Sequence, residues 1–420
     1  MRVLHVNKFL YRRGGAEGYL LDVAELQREA GHVVDYWGMD HPDNVRPLPL
    51  QDTFPSHVEL EPPPGGLAAF GAGARMIWSG QSRRGLAEAI DRFAPDVVHC
   101  HNIYHQLSPS ILAATRAAGV PVVMTLHDYK LACPSYQMLD HGRPCDACVG
   151  HSTLPALRRR CKGGSLAGSG LLAVESGIHR LVHAYRGVDA YVSPSRFLAG
   201  VMERAGIDPS RLHVVPHFVR ADETVQAAAS EAELAGAVPG VVFAGRLSHE
   251  KGVDTLIEAA ALAPEVPVHI AGDGPERAAL TRLAEARGAT NVVFHGRLAK
   301  PDLERVVAGC VATVVPSRWY ENQPMTILES YAAAVPAVVT SLGGSPELVD
   351  DGLDGLVVPP DDPSALAAAV SRLAADPEAA RAMGRTGQAR LLERHSPQRH
   401  LAALDDLYAA VGGSRLGRAG

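Results

Sequence analysis

The chain has 420 residues, 46% of them hydrophobic and 20% charged, with a net charge of −6. That is the balance of a soluble globular protein of two or three domains. The acidic net charge argues against a nucleic-acid partner, and six unevenly placed cysteines exclude a disulfide framework.

The opening MRVLHVNKFLYRRGG is too short in apolar residues for a signal peptide and reads as a first strand, and no segment is long and apolar enough to span a bilayer. A cytoplasmic protein is expected, with any membrane role limited to peripheral contact at the inner face of the plasma membrane. RVLHVN, AEGYLLDVAELQREAG and HVVDYWG give strand, helix and strand, the βαβ rhythm of a parallel sheet. Gly14 and Gly15 lie between the first strand and the first helix, a turn suited to phosphate. It lacks G-x-G-x-x-G, and Tyr36-Trp37-Gly38 stands where a dinucleotide enzyme would carry an acid, which disfavours a dehydrogenase. A Pro/Gly-rich interruption runs from Ser56 to Gly73.

PDVVHCH then alternates His99 and His101. Without a carboxylate nearby to complete a metal triad, the pair reads as a packed His99 and a cleft-lining His101 on the acceptor side. TLHDYK brings His127 and Asp128 to another strand end, where an imidazole can bind a sugar hydroxyl or a leaving phosphate, or simply sit on the surface. An insertion over about 129–170 holds Cys133, Cys145, Cys148 and Cys161. This C-x11-C-x2-C-x12-C spacing is compatible with a structural zinc and equally with reduced thiols, while Cys100 and Cys310 read as core. The adjacent RRRCK run fits a solvated face, an anionic lipid or a phosphorylated acceptor.

The strand–helix rhythm pauses over 218–239, a linker by composition, and restarts at 240. The expected plan is therefore a first domain over 1–217, a second over 240–395, and a C-terminal helix and flexible tail over 396–420. The fold class is α/β, with two Rossmann-like doubly wound parallel sheets facing across a cleft. GVVFAGRLSHEKGVD places Arg246 at a strand end and Lys251 before a helix, two cations that with the helix N-terminus can hold a diphosphate; either can instead pair with Glu250 or Asp254. Gly272 and Gly274 in AGDGP let backbone approach a flat ligand, and Gly296, Arg297 and Leu298 follow another strand. In RWYENQPMTILES, Pro324 opens a helix expected to reach Ala334. Glu321 lies in the loop ahead of it and Glu329 in its second turn, leaning back toward the same mouth.

Read in order, GGAE at 14–17, HD at 127–128, GRLSHEKG at 245–252, GDGP at 272–275, HGRL at 295–298 and ENQPMTILE at 321–329 make the chain resemble the retaining GT-B glycosyltransferases of family 4 over nearly its whole length. The resemblance implies that Glu321 contacts the donor sugar and Glu329 the nucleotide ribose. The backbone of Asn322, Gln323, Pro324, Met325 and Thr326 between them would meet sugar and phosphate. It further implies that Arg246 and Lys251 neutralise the diphosphate, that the loop at Gly15 approaches it, and that His127 lies near the reacting sugar. The implied enzyme is a hexosyltransferase of polysaccharide or glycoconjugate biosynthesis. Its donor would be a nucleotide-diphosphate sugar, a UDP- or GDP-sugar first of all, and its acceptor a hydroxyl of a glycan, a lipid-linked or a small molecule. No D-x-D motif occurs at a strand end, in keeping with chemistry that uses no catalytic metal. Some relatives carry a similar cysteine-rich insertion with one more cysteine, near where Ala156 stands here. A nucleotide-sugar epimerase of the same fold and a non-catalytic nucleotide-sugar-binding protein are the rival readings.

Overall fold

The computed structural model describes residues 1–58, 66–220 and 240–416. Most of the expected linker, part of the Pro/Gly-rich interruption and the last four residues lie outside the described residues. The chain forms two compact units, one made of residues 1–138, 146–215 and 400 onward, the other of 139–145 and 216–399.

The first unit is built on six parallel strands: β1 (Arg2–Val6), β2 (Val33–Trp37), β3 (Val97–Cys100), β4 (Val122–Thr125), β7 (Ala190–Ser193) and β8 (Leu212–Val214). Their order is β2-β1-β3-β4-β7-β8, and a short antiparallel hairpin, β5 (Leu139–Asp140) and β6 (Arg143–Pro144), lies apart from them. Strands β3, β4 and β7 are buried at every position, which is why they read as mainly apolar runs rather than alternating ones. The second unit repeats the plan with β9 (Val241–Ala244), β10 (Val268–Ala271), β11 (Val292–Gly296), β12 (Ala312–Val315), β13 (Ala337–Thr340) and β14 (Gly355–Val358), in the order β11-β10-β9-β12-β13-β14.

In each sheet the chain moves outward on one side and then crosses to the other. The reversal falls between β1 and β3 in the first unit and between β9 and β12 in the second. Loops diverge at the carboxyl ends of such strand pairs and leave a crevice, the usual ligand position in open parallel sheets.

The final helix, Pro397–Leu416, differs from the expected plan: from His400 on it belongs to the first unit. Tyr408 is fully buried and hydrogen-bonds both Gln27 and His99, while His400 Nε2 lies 2.8 Å from Tyr19 OH. An alanine-rich amphipathic helix looks the same whichever core it covers, so periodicity alone could not assign it.

Candidate active site

In the second unit the loops after β9 and β12 abut. Gly252 follows Lys251 at φ +66, and a Cβ there would overlap the Pro316 carbonyl oxygen just past β12, so only glycine permits the approach. The approach sets Lys251 Nζ 2.8 Å from Glu321 Oε1, and Ser317 Oγ donates to the same oxygen at 2.6 Å. A third loop closes the clamp from β13. Gly343, at φ +65, lies so close to Glu321 that a Cβ would strike its backbone, and the Gly344 N–H donates to the Glu321 carbonyl at 2.6 Å. Burial pushes the Glu321 carboxyl up, but the Lys251 charge and the two hydrogen bonds outweigh it and hold the group below its ordinary value. Glu321 is therefore an ionised, immobilised acceptor at neutral pH. Lys251 keeps about a quarter of its side chain exposed (26%), with Nζ 5.4 Å over the Trp319 ring.

The pairing expected as an alternative does not form. Asp254 pairs with the buried Arg318 at 2.7 Å, Glu250 accepts from Ser248 Oγ at 2.6 Å, and Arg246 stands exposed beyond the end of β9. Lys251 is thus paired with Glu321 instead, and Arg246 keeps an exposed charge. Ser317, Arg318 and Trp319, which no sequence motif singled out, supply the packing around them.

The glycines of AGDGP have a packing role that the sequence reading did not anticipate. A Cβ on Gly272 would overlap the Gly245 carbonyl and one on Gly274 the Leu247 carbonyl, so they let the loop after β10 pack on the loop after β9. That contact is sealed by Leu247 N–H to Asp273 O at 3.0 Å, and the Gly272 N–H reaches Gly296 O at 2.7 Å. Gly296 has φ +70 with open space about its Cα; Arg297 beside it is exposed and Leu298 half-buried.

The helix after Pro324 runs Met325–Ala332, slightly shorter than expected, with Pro324 as its N-cap. Thr326 Oγ1 lies 3.4 Å from the Ala244 carbonyl and ties the helix start to the end of β9. Glu329 is exposed in the second turn and Asn322 is half-buried. Met325 packs against the core. The Gln323 side chain is buried, and its Oε1 accepts from the His217 N–H at 2.6 Å, which leaves its backbone as the part the sequence reading assigned to a donor.

In the first unit Gly14 is the N-cap of α1 (Gly15–Glu29) and, lacking a side chain, leaves the first-turn N–H groups uncapped. Past β1, β3 and β4 lies a file of imidazoles. Gln27 Oε1 accepts from His5 Nε2–H at 2.7 Å, His5 Nδ1 accepts from His101 Nε2–H at 3.0 Å, and His101 Nδ1 accepts from His127 Nε2–H at 3.0 Å. The Gln27 amide sets this direction because its Nε2 donates to Tyr408 OH at 3.0 Å. His127 stands half-exposed at the end of the file. His101, expected to line a cleft, is fully buried because both of its nitrogens are engaged within the file. Ligand atoms of His5, His99 and His101 come within 4.8 Å of one another, but all six ring nitrogens have hydrogen-bond partners, which marks a relay rather than a metal trio. Asp128 is half-buried, and its Oδ1 accepts from the Lys130 N–H at 2.8 Å.

Burial drives the His5 pKa down to about 4 and that of His127 to about 3. The unfolded chain therefore binds protons that the native one refuses once the pH falls below about 6.5, and stability should decline from there toward about 3 to 4. Denaturation midpoints across that range, with histidine nitrogen shifts, check this. Imidazolium signals from His5 and His127 at pH 6 would contradict it.

Cys148 and Cys161 share a small apolar cluster with Ala156 and Ala173. Cys133 Sγ is 3.3 Å from Ser135 Oγ, and the Arg180 guanidinium donates to the Cys148 carbonyl at 3.1 Å and the Ala132 carbonyl at 2.7 Å. Cys145 is counted with the other unit, in the hairpin segment.

Residues 13–223 match the family described as Glycosyltransferase Family 4, and residues 229–390 match Glycosyl transferases group 1. The chain belongs to glycosyltransferase family 4. This glycosyltransferase is 30% identical to the alpha-maltose-1-phosphate synthase of Mycolicibacterium smegmatis over 72% of its own length and 76% of that chain. It is 38% identical to the alpha-D-kanosaminyltransferase of Streptomyces kanamyceticus, though over only 33% of this chain and 37% of that one. Anabaena HepE in complex with UDP superposes with a TM-score of 0.68 at 19% identity, covering 98% of this chain and 100% of that one. The glycosyltransferase thus has the GT-B fold, with a parallel Rossmann-like sheet in each unit.

Proposed function

We propose that this glycosyltransferase moves a sugar from a nucleotide-diphosphate donor, a UDP- or GDP-sugar, to a hydroxyl of a glycan, lipid-linked or small-molecule acceptor, with retention at the anomeric carbon. The observation that carries the proposal is the ion pair of buried Glu321 with Lys251, clamped by three loops at the switch point of the second unit, with Arg246 exposed just past β9. The chemistry needs negative charge to be neutralised as the diphosphate leaves, and preorganised cations supply the largest share of such stabilisation. In this reading Lys251 and Arg246 bind the diphosphate, Glu321 accepts from a sugar hydroxyl, Glu329 accepts from the ribose, and His127 lies near the reacting sugar. The leaving diphosphate takes the acceptor proton. The solved complex of HepE with UDP supports a uridine donor as the first to try.

A thermal-shift panel of UDP-, GDP-, ADP- and TDP-sugars should give one selective stabilisation, since ligand binding to the native state raises the midpoint with affinity. Incubation of that donor with acceptor should yield a glycoside of unchanged anomeric configuration by proton NMR. An inverted product, or epimerised donor formed without acceptor, would overturn the proposal.

The same proposal gives Cys133, Cys145, Cys148 and Cys161 a structural zinc that orders the 129–170 loop. A long loop with little regular structure lacks a core of its own, and zinc cross-links it in a reducing compartment. Elemental analysis should find close to one zinc per chain, and Cys145→Ser should lose it while keeping the nucleotide site. Metal-free protein with four titrating thiols would sink the assignment.

A further inference from the structure

The first unit holds a cavity of about 440 Å³ at the β7–β8 end of its sheet. Its walls come from Lys130 and His151 of the insertion, the end of the helix Leu166–Leu181 with the turn after it, the loop after the helix Arg196–Arg204, and Arg211. Arg186 precedes β7 and Arg211 precedes β8, so the cavity sits against the amino ends of these strands. Open parallel sheets bind their usual ligands at the opposite, carboxyl ends. Gly150 brings the insertion to this place: at φ +68 it lies so close to the Arg204 carbonyl that a Cβ would overlap it.

The helix Leu166–Leu181 leaves Leu171, Val174 and Leu181 exposed and buries Glu175, Ser176 and His179, so the side it turns inward is polar. Glu175 pairs with Lys130 at 2.8 Å and with His105 at 3.0 Å, which compensates its charge behind the cavity wall. The arginines are left with no such partner. Arg180 is half-buried, and its guanidinium donates to the carbonyls of His151, Cys148 and Ala132. Arg211 reaches the Arg186 carbonyl at 3.3 Å and stands 5.8 Å over the Tyr191 ring, while Arg186 is exposed. Carbonyl oxygens orient a guanidinium without cancelling its charge, and among the described residues these three form no ion pair. Burial lowers the Arg180 pKa, the mark of a cation short of negative charge. The carboxylate on the lining, Asp208, is exposed and accepts from the Ser210 N–H at 2.9 Å and Ser210 Oγ at 2.8 Å.

We propose that this cavity binds the phosphate monoester of a sugar-sized molecule, an effector distinct from the donor and acceptor of the transfer reaction. Guanidinium groups without a counter-charge fit a phosphate dianion, which they grip by paired N–H bonds. Tyr185, Tyr191 and the apolar Leu131 and Ile207 line the rest and suit the faces of a sugar ring, and the volume falls within the range of about 300–1,000 Å³ usual for small-molecule sites. Lys130 joins the cavity to the end of β4, because its N–H donates to Asp128 Oδ1 beside His127. An occupant would bear on that strand end; this last step, unlike the binding itself, rests on the transferase reading above.

Calorimetric titration of the full chain with glucose 6-phosphate, mannose 6-phosphate, inorganic phosphate and glucose tests the binding without any nucleotide sugar, so its outcome is independent of whether transfer occurs. At least one hexose 6-phosphate should bind saturably at one site per chain, inorganic phosphate more weakly and glucose not at all, and added salt should weaken the binding. Excess UDP or GDP should leave the affinity unchanged. The pair Arg186→Glu and His151→Glu should weaken hexose phosphate binding at least tenfold, and Arg211→Ala should do the same by itself. Arg186 and His151 are exposed, so the melting temperature of that pair and its affinity for nucleoside diphosphate should stay at wild-type values. Wild-type protein that binds neither hexose phosphate would overturn the proposal. So would binding that UDP or GDP displaces, which would assign the phosphate to the donor site, or binding that both variants retain, which would place it elsewhere.

Discussion

Lys251→Ala should lower turnover by about two to three orders of magnitude, the usual loss when one preorganised charge contact to a developing anion is removed. The structure adds a second expected effect. Glu321 would lose the partner that offsets its burial, so its carboxyl pKa should rise, and the fold should weaken by about 1–3 kcal/mol for a buried acceptor left short of a donor. Arg246→Ala separates the two consequences, because Arg246 is exposed and its removal leaves no buried group stranded. It should lower turnover by a similar factor with an unchanged melting temperature. Steady-state kinetics and thermal melts on both variants decide the matter, and near-wild-type turnover in both would place the diphosphate elsewhere.

Glu321→Gln and Glu329→Gln should fail in different ways. Glu321 is clamped among three loops and held by Lys251 and Ser317, so the amide should spare affinity for free nucleoside diphosphate while turnover of the sugar-bearing donor drops about a hundredfold. Glu329 stands exposed in the second turn of its helix, and losing a charge-assisted hydrogen bond there should weaken the free nucleotide itself by about tenfold with no change in stability. Calorimetric titration with nucleoside diphosphate and turnover with the full donor give the two readings. Equal losses of plain nucleotide affinity in both variants would contradict the division.

The second of these sites was the more legible in sequence. A proline at a helix start, with one acid ahead of it and another in the second turn, specifies its own geometry within a dozen residues, and the helix formed within two residues of its expected ends. The repeated alternation of apolar runs with amphipathic helices likewise announced two parallel sheets, because a strand buried on both faces is apolar at most of its positions. The glycines at 272 and 274 drew notice for the close approach that a missing Cβ allows. Their missing Cβ admits a neighbouring loop, and which backbone comes close is a matter of strands adjacent in space.

The sequence by itself therefore determined the fold class and the residue types with charge to offer at the strand ends. Local periodicity and turn chemistry act over a few residues and are written in any short stretch. Only the tertiary structure decided that Lys251 faces Glu321, that Gln27 sets the proton on His127 through two intervening imidazoles, that the last helix covers the first unit, and that the helix Leu166–Leu181 turns its apolar side outward. Each of these joins residues through the packing of distant elements, or depends on which side of a helix finds polar partners. An amphipathic pattern states that two faces differ and leaves open which of them the core will take.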